Sequence, residues 1–464
     1  PATFRFTARV APKNLETASS NGALFIQAID ASGVSVAQAT AQITNSTVSP
    51  PISITDTTDT TGFLKIVDAP PAIQSYRISV SKNGYSTDQT YAASAPNPNP
   101  VKLDATVALG TVTQITFAID RVSQLNVSSV SEACQPIGNT DFLMTGAKLI
   151  GTTPNVPKFS QGFSTDVGGL QAIGNVEWDS YSLTFTHPTY NVRGTIPTLP
   201  LSLVPNSIQN FKAVMEPKSP LAFLVTVKDM ATDLPLANAS VTLSTVSYSN
   251  TLITGRGFWR QTDWSGGSGQ AFFVNANQYF DQDGNVEVSG PAGALRLKEA
   301  ATSTYASSGW LNSSIFDTGS VSNFYNLIFT PQSQPGETGT DPIKFQIATA
   351  TTSAPSSWQF MGPDGTPSSY YTIANTNINA IHNGDRYLRY QARLSTASTT
   401  YTPNLSDLAV TFASECVPPG QVLFSGLAND TYTVTVSRAG YQTFTDLSAV
   451  NLSYQEMIVS LSPM

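Results

Sequence analysis

"YTVTVSRAGY", residues Tyr432 to Tyr441, decides how this chain is read, because the sequence writes it three times. "YRISVSKNGY" runs from Tyr76 to Tyr85, and "YSLTFTHPTY" from Tyr181 to Tyr190. In each copy apolar residues fall at every second position: Tyr432, Val434 and Val436; Tyr76, Ile78 and Val80; Tyr181, Leu183 and Phe185. That period, with β-branched and aromatic side chains, predicts a half-buried strand. Gly84 and Gly440 precede the closing Tyr in two copies, a turn residue free to take positive φ. The second copy has His187-Pro188 instead and is the most diverged.

The surroundings repeat as well. "GFLKIVDAPPAIQSY", "GLQAIGNVEWDSY" and "GQVLFSGLANDTY" each open on Gly, cross an apolar strand and a polar turn, and end on the Tyr. Apolar segments stand before the first and third units, as "LFIQAIDASGVSVAQATAQIT" and "FLVTVKDMATDLPLANASVTL". Return strands close the three units: "VTQITFAID", "IQNFKAVME" and "YQEMIVSLS". With the central turn "TTDTTG" (Thr57 to Gly62), this series resembles the carboxypeptidase-regulatory-like domain. That family is a small seven-stranded sandwich related to transthyretin and collagen-adhesin B-type repeats. The resemblance implies an all-β fold of tandem sandwiches and a rigid, non-catalytic spacer. Collagen-adhesin relatives often carry a Lys–Asn isopeptide bond helped by a Glu before "GY". Lys228 stands where the Lys is expected, but Lys82 and Arg438 replace the Glu, which argues against self-crosslinking.

The three Tyr-led strands begin 105 and then 251 residues apart, an excess of 146 residues in the second interval. A domain inserted in a loop of the third repeat accounts for it. The expected organisation is an N-terminal strand and linker (1–20), repeat one (21–121), a diverged repeat two (122–217), and repeat three (218–254 with 415–464) holding an insert at 255–414. The insert alternates again in "GWLNSSIFDTGS", "FYNLIFTP", "IKFQIATA" and "RYLRYQARLST", which predicts a jelly-roll sandwich. It resembles the discoidin-like jelly rolls of bacterial secreted and surface proteins, some of which bind glycans on their loops. Trp259, Trp264, Trp310 and Trp358 all fall here, either as core or as faces for sugar rings.

Little in the chain supports catalysis. Its two histidines, His187 and His382, sit in turn contexts, and no GxSxG, HExxH or P-loop is present. "DQDGNVE" places Asp281, Asp283, Asn285 and Glu287 at alternate positions, as a calcium loop does, or forms a hairpin turn. A net charge of −8 leaves no basic face for nucleic acid, and no apolar run reaches the ~20 residues of a membrane span. Charged residues are only 12% of the chain, about half the usual share, and suit a secreted surface. Pro1 in place of Met reads as a processed or trimmed chain. Cys134 and Cys416 fit either a disulfide in an oxidising compartment or two buried thiols.

"PATFRFTARV" at the start sets Phe4, Phe6, Ala8 and Val10 on one face and Thr3, Arg5, Thr7 and Arg9 on the other. Such a strand must pair with a sheet edge, in its own chain or in a neighbouring subunit. These observations predict an extracellular, non-enzymatic structural protein of a bacterial cell surface or surface filament, with no cofactor beyond the calcium alternative. Its expected partners are copies of itself or other surface proteins. The alternative is a glycan-binding adhesin acting through the inserted jelly roll.

Overall fold

The computed structural model describes residues 20–464 except 290, 291 and 332. Its regular elements are strands, joined by two three-residue 3-10 turns, Gly336–Thr338 and Ala380–His382. The fold is all-β, and no helix among the described residues is long and apolar enough to cross a membrane.

Each Tyr-led strand is central in a sheet, and the pairing around it recurs. In the first sandwich Ala72–Ser81 pairs with Thr40–Asn45, which pairs with Ile52–Thr57. The second sheet there sets Gly22–Ile29 between Phe63–Ala69 and Val112–Ala118. The second sandwich aligns Ser160–Ser164, Asp141–Gly146 and Asp179–Thr186, over a sheet of Leu170–Val176, Ser123–Val130, Ile208–Pro217 and Tyr190–Ile196. The third aligns Ser249–Ile253, Ser240–Ser244, Asp430–Ser437 and Phe444–Val450, over Gln421–Ser425, Ala222–Asp229 and Tyr454–Leu461. In all three the opening strand lies parallel to the closing strand.

The repeated residues explain the repeated geometry. Tyr76, Tyr181 and Tyr432 are buried, and each hydroxyl donates to a carbonyl a few residues upstream: Pro70 O at 2.6 Å, Glu177 O at 2.8 Å and Ala428 O at 3.1 Å. A buried phenol needs such a partner, and the bond pins the corner before the strand. Gly62, Gly169 and Gly420 all take positive φ, at 77°, 74° and 67°. Each passes its carbonyl to the opening strand, accepting from Ala28, Ser129 and Val227 N–H. A Cβ there would lie 2.5–2.8 Å from a backbone oxygen of that strand, so the close approach admits only glycine.

The strands between Gly257 and Ala413 pair among themselves. One sheet runs Gly257–Gln261, Asp407–Ala413, Phe316–Thr330, Asp385–Ser395, Ser308–Asn312 and Asp281–Gln282, with Ile343–Ala350 also on Asp385–Ser395. Its core holds Trp259, Trp264, Phe345, Tyr390 and Phe412.

One sandwich departs from the pattern. In the third, Phe444–Val450 returns alongside Asp430 to Val436 of the Tyr-led strand. In the second, the strand after His187-Pro188, Tyr190–Ile196, crosses to the opposite sheet and pairs with Ile208–Pro217. Only Leu201–Leu203 comes back, covering Asp179, Ser180 and Tyr181. Among the described residues nothing pairs with Ser182–Thr186 on that side.

Candidate functional site

The face of the 308–312, 385–395 and 343–350 strands carries the most site-like surface. Trp310, Arg393 and Lys344 are directly paired across the three strands. With Asp283, Ser308, Tyr370 and Ser395 they line an open cleft of about 250 Å³. The Lys344 ammonium and Arg393 guanidinium lie 5.9 and 5.8 Å from the Tyr370 ring. A ladder of side chains stiffens the cleft. Arg393 Nε donates to Gln391 Oε1 at 2.7 Å, Gln391 Nε2 to Asn312 Oδ1 at 2.9 Å, and Asn312 Nδ2 to Asp281 Oδ1 at 2.8 Å. Two aromatic rings beside fixed charges can stack on and hydrogen-bond a polyhydroxylated ligand.

The tryptophans divide by the alternation of their strands. Gly257, Trp259 and Gln261 point inward, so Trp259 is core. Trp264 is fully buried and donates through Nε1 to Tyr390 Oη at 2.8 Å, which donates on to Gln261 Oε1 at 2.9 Å. Neither can meet a sugar. Trp358 covers the Arg389 guanidinium at 5.2 Å, with Phe280 4.0 Å from the same group, and burial holds Arg389 below its ordinary range.

The "DQDGNVE" residues are spent locally. Asp281 accepts from Asn312, Asp283 Oδ1 accepts from Asn285 N–H at 3.0 Å across a turn at Gly284, and Glu287 pairs with Arg296. Asp281, Asp283 and Glu287 do not gather into one metal-ligating group. The alternating oxygens sit on a hairpin turn, where Asp281, Asp283 and Glu287 each already hold a neighbouring group of the chain.

Neither histidine stands in a reactive arrangement. His187 Nδ1 accepts from Thr189 N–H at 3.2 Å within an exposed turn. His382 is buried, its Nδ1 3.1 Å from Thr349 Oγ1, and burial pulls it down to about 4, so the ring is neutral. Lys228 pairs with Asp233 at 3.1 Å and faces Ser460, not Asn, on the closing strand.

Cys134 and Cys416 are joined by a disulfide with Cα atoms 5.5 Å apart, tying the second sandwich to the segment that leaves strand 407–413. A charge cluster lies beside it. Arg193, almost fully buried, pairs with Glu132 and Glu216, each at 2.5 Å, and sits 5.4 Å from the Phe258 ring. The Glu132 side chain is 18% exposed but its Oε1 is shut off from solvent. Burial, opposed by Arg193 and reinforced by Glu216, raises Glu132 to about 7. The spacing of these residues gave no local motif; the only cue was a charge at an inward position of an apolar strand. Phe4, Phe6, Ala8 and Val10 lie outside the described residues.

No family model matches this chain, and no curated protein matches it. Solved structures similar to it include the Bacillus anthracis TIE protein, at 16% identity over 51% of this chain and 44% of that one, with a TM-score of 0.19. The minor pilin of Streptococcus agalactiae matches at 13% identity over 43% of this chain and 99% of that one, with a TM-score of 0.20. The Streptococcal ancillary pilin matches at 9% identity over 96% and 99%, with a TM-score of 0.17. The chain spans less than half the length of the Bacillus protein. At such TM-scores these likenesses carry no weight for the function of this chain.

Proposed function

We propose that this chain is a non-enzymatic structural protein of a cell surface or surface filament, a rod of β-sandwiches with copies of itself or other surface proteins as partners. The observation that supports it most is that every junction between compact units is bonded. Between the first and second sandwiches, Asn97 and Asn99 Nδ2 donate to Ile150 and Thr153 carbonyls at 3.1 Å. Between the second and third, Gln421 Nε2 donates to Thr195 O at 2.8 Å, and Gln421 Oε1 accepts from Thr195 N–H at 3.0 Å. The disulfide, with the Arg193 guanidinium 5.4 Å from the Phe258 ring, ties the second sandwich to the ends of the 255–414 segment. Arg256 bonds that segment to the third sandwich by donating to Asn238 Oδ1 at 3.2 Å and Asn326 Oδ1 at 2.8 Å. Junctions held this way suit a spacer, whereas a hinge or lid would need them loose.

In this reading 21–121, 122–217 and 218–254 with 415–464 are carboxypeptidase-regulatory-like repeats, and 255–414 is an inserted jelly roll. Electron microscopy of the full chain over a range of concentrations tests the role: stiff rods joining end to end are expected, and dispersed particles at every concentration would overturn it. The Trp310–Tyr370 cleft favours a second reading, an adhesin that binds a glycan there. A glycan array probed with the full chain and with Trp310→Ala separates the two.

A further inference from the structure

We infer that the uncovered edge Ser182–Thr186 is an acceptor groove for the N-terminal segment Thr3–Val10 of a second copy of this chain. The inference rests on the filament reading and supplies its joint. In strand 179–186 the even residues turn their backbone groups toward Asp141–Gly146, as the Ala147 N–H to Ser180 O bond shows. Leu183 and Phe185 therefore aim N–H and C=O at the opposite side, where no described strand pairs with them. An open edge of this kind is a template for an added strand.

The space beside the edge is shaped for one. A groove of about 420 Å³ runs along Ser182 to Phe185, with Leu199 and Pro200 on one flank and Leu224, Tyr454 and Ile458 of the third sandwich on the other. Ile458 is 60% exposed there, a large apolar side chain on a sheet face. Tyr454 Oη is buried and meets no hydrogen-bond partner of ordinary geometry, although Glu456 lies near it. Glu456, on the same wall, makes no ion pair among the described residues.

The segment Thr3–Val10 answers each feature. Its apolar face, Phe4, Phe6, Ala8 and Val10, matches the Leu183 and Phe185 side, and its other face brings Arg5 and Arg9 toward Glu456. Lys218 lies beyond Phe185 at the far end of the groove, so the arginines are placed at the Glu456 end. The donor belongs to another copy for reasons of reach. Gly22 starts its strand at the end of the first sandwich opposite Ile29 and Ala118, from which the chain enters the second. Residues 11–21 span at most ~36 Å extended, and running back along strand Gly22–Ile29 alone takes ~24 Å of it.

A synthetic peptide of residues 1–10 added to the chain lacking Pro1–Val10, whose described sheets contain none of those residues, tests the inference. The peptide should bind one to one and slow hydrogen exchange across 180–187 by about tenfold or more. A Phe4→Arg, Phe6→Arg peptide should not bind, and Glu456→Lys should weaken binding of the natural peptide. No binding, or binding that leaves exchange at 180–187 unchanged, overturns the groove. Intact chain that is protected at 180–187 while remaining monomeric overturns donation between copies. Filaments of the intact chain that persist after deletion of Pro1–Val10 would refute this joint and leave the filament reading standing; absence of filaments with peptide bound would do the reverse.

Discussion

Replacing Glu132 by Gln tests the junction through pH. The Glu132 carboxylate is enclosed between Arg193 and the strand that starts at Gly257, where a Cβ would come within 2.7 Å of Oε1. Burial first, then Glu216, raises it to about 7 against an ordinary 4.5, with Arg193 opposing. Between those values the folded junction holds a proton that the open chain has released. The stability this contributes is full below pH 4.5 and is lost as pH rises through about 7. At about 1.4 kcal/mol for each pH unit between the two values, the loss approaches roughly 3 kcal/mol. Glutamine cannot ionise, and Arg193 keeps Glu216 as a partner. Urea unfolding of both proteins from about pH 4.5 to 8 should therefore show the variant gaining roughly 2–3 kcal/mol on the wild type as pH rises. His382, held down to about 4, works in the opposite sense, costing stability as pH falls from 6.5 toward 4. Both proteins carry it, so it cancels in the difference. Several cores unfold here, so the comparison belongs to the transition that the substitution moves. A difference that stays flat across this range would refute burial as the dominant influence on Glu132.

Reducing Cys134–Cys416, which closes a separation of 282 residues, removes at most about 5 kcal/mol of chain constraint. Because each sandwich has its own core, far-ultraviolet circular dichroism should persist while limited proteolysis opens the chain near 131–136 and 414–420. Tyr432→Phe removes the bond to Ala428 O and should cost about 1 kcal/mol by denaturant titration, without loss of fold. Trp264→Ala should cost about 3–5 kcal/mol, whereas Trp310→Ala, at the cleft, should change stability little; equal losses would contradict their placement. Replacing 255–414 by a short linker should leave three folded sandwiches, and a chain unfolded by circular dichroism would refute those boundaries.

The strands were legible wherever one face alone is buried. Tyr76, Ile78 and Val80 alternate with polar neighbours, and the alternation survives folding because a one-residue slip would expose all three. The same alternation in "GFWRQ" turns Trp259 inward with Gln261, which settles for this tryptophan what its presence in the segment left open. His187-Pro188 marked the second copy as diverged, but not that the next strand would cross to the other sheet. That choice depends on tertiary partners, Ile208–Pro217 and the third sandwich, which no local pattern encodes. The Glu132, Arg193 and Glu216 cluster is a meeting of a turn residue with positions on two strands far along the chain, invisible to any motif. In "DQDGNVE" the alternating oxygens suit a turn or a cation equally as a pattern, and only the fold shows the turn at Gly284 engaging Asp283 with the backbone N–H of Asn285.

The parallel partnership of opening and closing strands has a mechanical meaning. In each sandwich the opening strand starts at one end and its parallel neighbour finishes at the other. A pull along the chain then drags the two strands past each other lengthwise. Seven consecutive residue pairs in the first and second sandwiches, and eight in the third, resist that slide together. Antiparallel partners pulled from the same end would instead peel apart one bond at a time. Under tension along the chain each sandwich fails only when a whole row of bonds yields at once.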